Sequence, residues 1–485
     1  MKKILCCVCV TAFIATTLSA YGPLGHELVG AVADDLLKKK PVGAEISALI
    51  DGITLQKAAV IPDEIKSWDK NGPDDAKAFP HYPGHAKIDN QLREFWRANP
   101  PTHDAKSPTP SHHWFHYSDV PVLNVEKYSA GKAGRSQWDI VHMIPYCVSV
   151  LSGETPEDNP RKITKPVAII LLAHYVGDIH QPLHIGAEYF AQSGQPVDPD
   201  RDPAALEDQG GNTLSLIENA TAQHPRHYYH SLHAFWDSDS VRALVIGTTD
   251  EPPKEKRDAL YAPAQAKLLG EFVANEPKNW RTRGDPKTWA EQWADEILPI
   301  AHDAHTRLRF VKVRREEKDG AAFAKGEADE IATGYREWAG GVVREELWKA
   351  GWRLADLLET ALRSTSTSAT RAPSVSPQPP AAPPNEKTTP PDVDTTPPPS
   401  STPTEPASPY GMYPTNYKEI VTAYARGRNI DATKIDWQGE PKPADLPAAG
   451  GRPLKGYLVI FNTGPKTRSV LIHDGLIVNT AGFDR

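Results

Sequence analysis

Apolar residues in the stretch "TKPVAIILLAHYVGDIHQPLH", residues 164 to 184, repeat with the period of a helix. Val167, Ile170, Leu171 and His174 share one face, Thr164 is placed to cap its start, and Pro166 is tolerated in the first turn. His174 and Asp178, four apart, continue that face one above the other. Pro182 ends the helix and forces Gln181 out of helical geometry, so His184 falls just beyond it. "REELWKAGWRLADLLETAL" predicts another amphipathic helix, with Leu347, Leu354 and Leu358 among its apolar contacts. Helical patterning with long Pro- and Gly-rich loops runs from 21 to 363, without an internal repeat. From Ser364 the pattern stops. Residues 364 to 409 are rich in Pro, Ser and Thr and hold almost no large apolar residues, which predicts an extended, mobile spacer. A glycosylated or partner-binding segment is the alternative. Residues 410 to 485 regain a pattern, with Tyr417, Ile420, Val421 and Tyr424 on a helical face. "KGYLVIFNTGPKTRSVLIHDGLIV" predicts two strands around Gly464-Pro465 and a further turn at Asp474-Gly475. The chain is therefore predicted to be mainly α, ending in a small α+β module of unknown function and partner.

Charge and composition narrow this picture. A net charge of -8 over 485 residues argues against a broad basic surface that grips duplex nucleic acid. Bound cations can still supply the positive charge that a short anionic substrate needs. "MKKILCCVCVTAFIATTLSA" places two lysines before an apolar run and ends on Ala20, which predicts a cleaved secretory signal over residues 1 to 20. An uncleaved anchor is the alternative. The mature protein is expected to be secreted or periplasmic, and no later stretch is long and apolar enough to span a bilayer. Cys6, Cys7 and Cys9 lie in the leader, so Cys147 alone remains and no internal disulfide is expected.

The candidate chemistry is a set of histidines and aspartates. A buried imidazole and carboxylate, such as His174 and Asp178, must pair or bind a cation. "YGPLGHELVGAVADDLL" adds His26, and "VIPDEIKSW" adds Asp63 with Lys66 three residues on. "HHWFHYSD" adds His112, His113, His116 and Asp119, and "SLHAFWDSD" repeats the four-residue spacing with His233 and Asp237. Such a set suits several cations sharing carboxylates. Nitrogen and oxygen ligands without thiolate favour zinc, with manganese or iron as alternatives. One His-x-x-x-Asp pair by itself is more often an exposed or capping pair than a ligand pair. His112, His113, His227 and His230 read as polar loop residues, and His180 as a packing or orienting one.

Taken in order, "YGPLGHELVGAVA", "PDEIK", "WFHYSD", "LLAHYVGDIHQPLH", "GGNTL" and "LHAFWD" resemble the zinc-dependent single-strand-specific nucleases of fungi and plants. That family shares its helical fold with bacterial zinc phospholipase C, so a phospholipase C/nuclease-like domain is implied for residues 21 to 363. The resemblance implies three Zn2+ ions. The first falls to Asp63, His116, His174 and Asp178, the second to His184, His233 and Asp237. The third falls to His26, bridging Asp178, and the backbone nitrogen and oxygen of the mature first residue. That residue is Tyr21 here, where family members usually have tryptophan.

The resemblance also implies in-line attack on phosphorus by a water acidified between two cations. Lys66 matches a basic position facing the phosphoryl oxygens. Asp119 matches an acidic position beside the substrate, Tyr117 offers a face for an unpaired base, and Asn212 lies at the substrate side. The implied substrates are single-stranded DNA and RNA, cut to 5′-phosphorylated products, and 3′-nucleotides. The acidic stretch between His184 and Asn212 is longer than in compact fungal members and is expected to disfavour long polyanions. The competing readings are a phospholipase C acting on lipid head groups and a non-catalytic metal-binding envelope protein.

Overall fold

The computed structural model describes residues 21–75, 82–102, 110–123, 127–218, 227–228, 231–318, 320–331 and 334–369. In the terminal region it describes 417–418, 421–422, 425, 430–446, 454–473 and 476–481. The expected leader, the expected spacer from residue 370 on, His230, Ile420, Tyr424, Asp474 and Gly475 lie outside the described residues. Two compact units are present, the first ending with the long helix Tyr335–Ala369 and the second containing the described terminal residues.

The first unit is mainly helical around one helix, Lys165–Asp178. Thr164 Oγ accepts from the Val167 amide at 3.4 Å, so the cap forms where the sequence places it. The expectation of a single apolar face is too narrow, because every residue from Pro166 to Asp178 is buried. The helices Gly22–Leu37, Ile140–Leu151 and Tyr335–Ala369 all pack on it, together with shorter helices such as Leu55–Ala58. A helix enclosed on all sides carries apolar residues all round, and any polar group on it needs a partner inside the protein. His174 and Asp178 are those polar groups.

Leu347, Leu354 and Leu358 are fully buried, and their helix continues past residue 363 to Ala369. The sequence pattern missed a four-stranded sheet, ordered His227–Tyr228, Leu214–Glu218, Ala321–Glu330 and Leu308–Lys318. Its last two strands pair as an antiparallel hairpin. The alternation of Leu308, Phe310 and charged residues was the available signal, obscured because most of the outer strand is exposed.

In the terminal module, Leu454–Thr463 and Lys466–His473 pair across Gly464-Pro465, with Gly464 at φ 62° in the left-handed region a tight turn uses. Three further strands, Ile435–Trp437, Lys442–Leu446 and Leu476–Ala481, complete a five-stranded antiparallel sheet. Tyr417 and Val421 pack on Val459, Phe461, Val470 and Ile472. Pro443 stands in the edge strand Lys442–Leu446, where a missing N–H is tolerated, which is why this strand is hard to read from sequence. Cys147 is a buried, unpaired thiol. Among the described residues no helix is long and apolar enough to cross a membrane.

Candidate metal centre

Five segments distant in sequence converge at the end of the central helix. His26 comes from the helix Gly22–Leu37, Asp63 from the turn Ile61–Glu64, and His116 from the 3₁₀-helix His112–His116. The central helix supplies His174 and Asp178, and the 3₁₀ turn Pro182–His184 supplies His184. His233 and Asp237 come from a short helix that widens into a π-turn over Phe235–Asp239, a rare local form that recurs at functional sites. Gly177 faces His26, and a Cβ there would stand 2.8 Å from its Nδ1, so glycine is what allows the ring to lie on the central helix.

Asp178 stands between two sets of imidazoles. Its Oδ1 lies 3.1 Å from His26 Nε2, while its Oδ2 lies 2.9 Å from His116 Nδ1 and 3.1 Å from His174 Nε2. Asp63 Oδ1 approaches His174 Nε2 at 3.7 Å. Beyond them, His184 Nε2 is 3.2 Å from His233 Nε2, and Asp237 Oδ2 is 2.9 Å from His233 Nε2.

The outer nitrogens of three rings are fixed by backbone carbonyls: His174 Nδ1 by Ala59 at 2.6 Å, His184 Nδ1 by His116 at 2.9 Å, and His233 Nδ1 by Gly210 at 2.7 Å. Each carbonyl holds the proton on Nδ1 and turns the Nε2 lone pair inward, the usual support of a metal-binding histidine. Gly210 has φ 58° and its Cβ would stand 2.5 Å from the Leu183 carbonyl, so the loop that offers this acceptor requires glycine. Gln181, extended as Pro182 dictates, gives its Nε2–H to Asp237 Oδ1 at 2.7 Å. Sequence reading saw the backbone consequence of Pro182 and missed this orienting role.

The donor set fits cations better than it fits hydrogen bonds. His174 Nε2 and His116 Nδ1 point at each other across 2.9 Å. His26 Nδ1 and Nε2 and Asp178 Oδ1 are buried and make no hydrogen bond, although Nε2 and Oδ1 are only 3.1 Å apart. Buried polar atoms without partners are costly, and a cation shared by His26 Nε2 and Asp178 Oδ1 satisfies those two. Burial alone raises the pKa of Asp63, but the Lys66 ammonium and then His174, His116 and His26 hold its carboxyl below the usual range. Asp178 is likewise held well down against burial by His174, His116 and His26. Burial lowers His26, His116 and His184, whereas facing carboxylates raise His174 and His233 against burial, Asp178 and Asp63 for the first and Asp237 for the second.

The remaining candidates surround this centre. Tyr21 is fully buried at φ 41°, its hydroxyl donates to the His180 carbonyl at 2.6 Å, and its own carbonyl accepts from the Gly25 amide at 3.0 Å. His180 packs on Trp293 and its Nε2 accepts from Arg353 at 2.9 Å, a supporting role. Lys66 Nζ contacts Asp63 Oδ1 at 2.7 Å. Asn212 turns its amide N–H onto Gln209 within its own loop, at 2.8 Å. Tyr117 and Asp119 lie together on a second wall, where Tyr189 donates to the Asp119 carbonyl at 2.8 Å. The long acidic stretch folds back as a small hairpin pairing Tyr189 with Glu207. This sets Glu207 against Asp119, and burial with that carboxyl pushes Asp119 well above the usual range. The acidic composition hinted at such an encounter without identifying Glu207. His112 and His113, read as loop residues, join Asp69 in a separate cluster.

A mainly helical fold closed around a buried histidine–aspartate centre is the build of a metal-dependent hydrolase. The family model described as S1/P1 Nuclease matches residues 21–363, and the chain belongs to this family. Endonuclease 2 of Arabidopsis thaliana is 23% identical over 204 residues, covering 40% of this chain and 58% of that protein. Endonuclease 1 of the same plant is 24% identical over 151 residues, covering 31% of this chain and 39% of its own length. The chain thus spans little more than half of the first of these relatives and less of the second.

Proposed function

We propose that the protein is an exported zinc-dependent phosphodiesterase that cuts single-stranded DNA and RNA to 5′-phosphorylated products and also removes the phosphate of 3′-nucleotides. The observation that carries this reading is Asp178, whose two oxygens face separate sets of imidazoles inside a family of nucleases. Asp63, His116, His174 and Asp178 would hold one ion, His184, His233 and Asp237 a second. His26, Asp178 and the backbone of Tyr21 would hold a third, once cleavage after Ala20 frees the Tyr21 amine. When bound, these ions supply an acidified water and Lewis-acid polarisation of the phosphoryl group.

The chain's own residues do the rest. Lys66 donates to the phosphoryl oxygens as negative charge grows there, and Asp178 holds two ligand sets at fixed separation. Tyr117 gives a ring against which an unpaired base stacks, and Asp119 and Asn212 offer polar edges to it. The hairpin bearing Glu207 adds negative charge beside that wall and favours short substrates over long polyanions.

The deciding experiment incubates the purified exported protein with single-stranded DNA, RNA, 3′-AMP and phosphatidylcholine, with and without a chelator. Chelator-sensitive cleavage of the first three supports the reading. Cleavage of phosphatidylcholine alone transfers it to the phospholipase class, and no cleavage of any leaves a binding protein. Sequencing the amino terminus of the exported form tests whether it begins at Tyr21.

A further inference from the structure

The two turns that carry Lys66 and His116 toward the centre meet again one step away from it. Residues Ile65–Lys70 and His112–His116 are both 3₁₀-helices. In that helix side chains three apart eclipse one another, so Asp69 stacks beside Lys66 and His113 beside His116. We propose that Asp69, His112 and His113 form a further divalent-cation site, of the zinc class, outside the family's centre.

The ligand atoms lie within 4.8 Å of one another. Asp69 Oδ1 is 3.2 Å from His112 Nε2 and Asp69 Oδ2 is 2.5 Å from His113 Nε2. The carboxylate is oriented from behind by the Trp96 indole N–H, 2.9 Å from Oδ1, the kind of support that fixes a first ligand. The backbone is pinned as well, since the His112 amide donates to the Asn99 carbonyl at 3.2 Å and the His113 amide to Ser111 Oγ at 3.2 Å. His112 Nδ1 is buried without any partner, so Nε2, which faces the Asp69 carboxylate, is the nitrogen the ring presents to the cluster. Two nitrogens and one carboxylate match zinc, with a fourth position left for water or a phosphate oxygen.

This site differs from the centre in access. His112 is buried, but the side chain of Asp69 is 22% exposed and that of His113 is 39% exposed. The ion is therefore exchangeable with solvent, and its structural effect is to tie the turn bearing Lys66 to the turn bearing His116. A cation that binds only the folded chain also raises the melting temperature as its concentration rises.

The test compares wild-type protein with Asp69→Asn and His113→Gln after equilibration with Zn2+, counting ions by native mass spectrometry and recording melting temperature against zinc concentration. Wild type is expected to carry one ion more than either variant and to gain heat stability at zinc levels where the variants have stopped gaining. Equal ion counts in all three overturn the proposal and leave Asp69 as a hydrogen-bonding clamp. Should Asp69→Asn fail to fold, His113→Gln at its partly exposed position decides by its count alone. The readout is a difference of one ion between variant and parent, so it holds whatever number the centre itself contains.

Discussion

Asp63 and Asp178 at the centre, and Asp119 and Glu207 on the neighbouring wall, are carboxyls wholly or partly withdrawn from water, and burial raises the pKa of all four. They end in opposite states. At the centre, imidazoles and Lys66 surround the carboxyls and pull them below their usual range. On the wall nothing offsets burial: burial and then Glu207 drive Asp119 up, while burial and then Asp208 push Glu207 up to about 7 even though its hydrogen bond with Asp119 pulls the other way. The charge of a withdrawn carboxyl is thus set by what the fold brings opposite it. One region is prepared for cations, and the other retains protons.

The strongest way to break this contrast is to neutralise the bridging position. Asp178→Asn keeps the shape of the side chain and removes the charge that both imidazole sets share. Loss of bound zinc, with at least about 10-fold lower turnover, is expected, since even a supporting partner of a metal ligand costs about 10- to 100-fold. Metal analysis with parallel rate measurement checks it, and full zinc content with normal turnover contradicts the assignment.

Lys66→Ala separates the centre's two positive influences. The imidazoles remain, so zinc content should stay nearly unchanged, while kcat falls on the order of 10²-fold or more through loss of one donor to developing charge. An unchanged kcat returns Lys66 to a structural partner of Asp63.

Glu207→Gln probes the wall. Glu207 rises from an ordinary 4.5 to about 7 in the folded chain, so the folded state binds its proton more tightly than the unfolded state. That contribution is fully present below pH 4.5 and is lost as pH rises through about 7. The variant should therefore gain stability relative to wild type between pH 5 and 8, by at most about 1.4 kcal/mol per pH unit, with screening reducing it because the pair is only partly buried. Denaturant melts of both proteins across that range measure the gap; a constant gap contradicts a raised Glu207 carboxyl.

The smallest effect is expected from removing the terminal region. Centre and wall both lie within the first unit, whose last helix ends at Ala369. Truncation after Ala369 should leave hydrolysis of a small substrate and its zinc content unchanged. A loss of either places part of the active protein beyond that boundary.

Several features were legible because they depend on near neighbours. The Thr164 cap, the stop at Pro182 and the shared face of His174 and Asp178 each follow from a few consecutive residues. The family motifs gave the candidate ligands by type, and the structure brings His26, Asp63, His116, His174, Asp178, His184, His233 and Asp237 into the clusters described. The hairpin Leu308–Lys318 with Ala321–Glu330 was not legible, since the first strand is mostly exposed and charged and the second buries small and charged residues with little apolar alternation. Gln181, Glu207 and the partnership of Asp69 with His113 were not legible either, because each faces a residue 56, 88 or 44 positions away.

By itself the sequence determined the Thr164 cap, the extended Gln181 before Pro182 and the change of composition at Ser364, because spacing within a turn fixes which side chains are local neighbours. Only the tertiary structure decided which oxygen of Asp178 faces which imidazole, and that Asp119 meets Glu207 while Gln181 meets Asp237. Those encounters arise when separate segments pack around one buried helix, and the resulting burial and opposing charges set the protonation of each group.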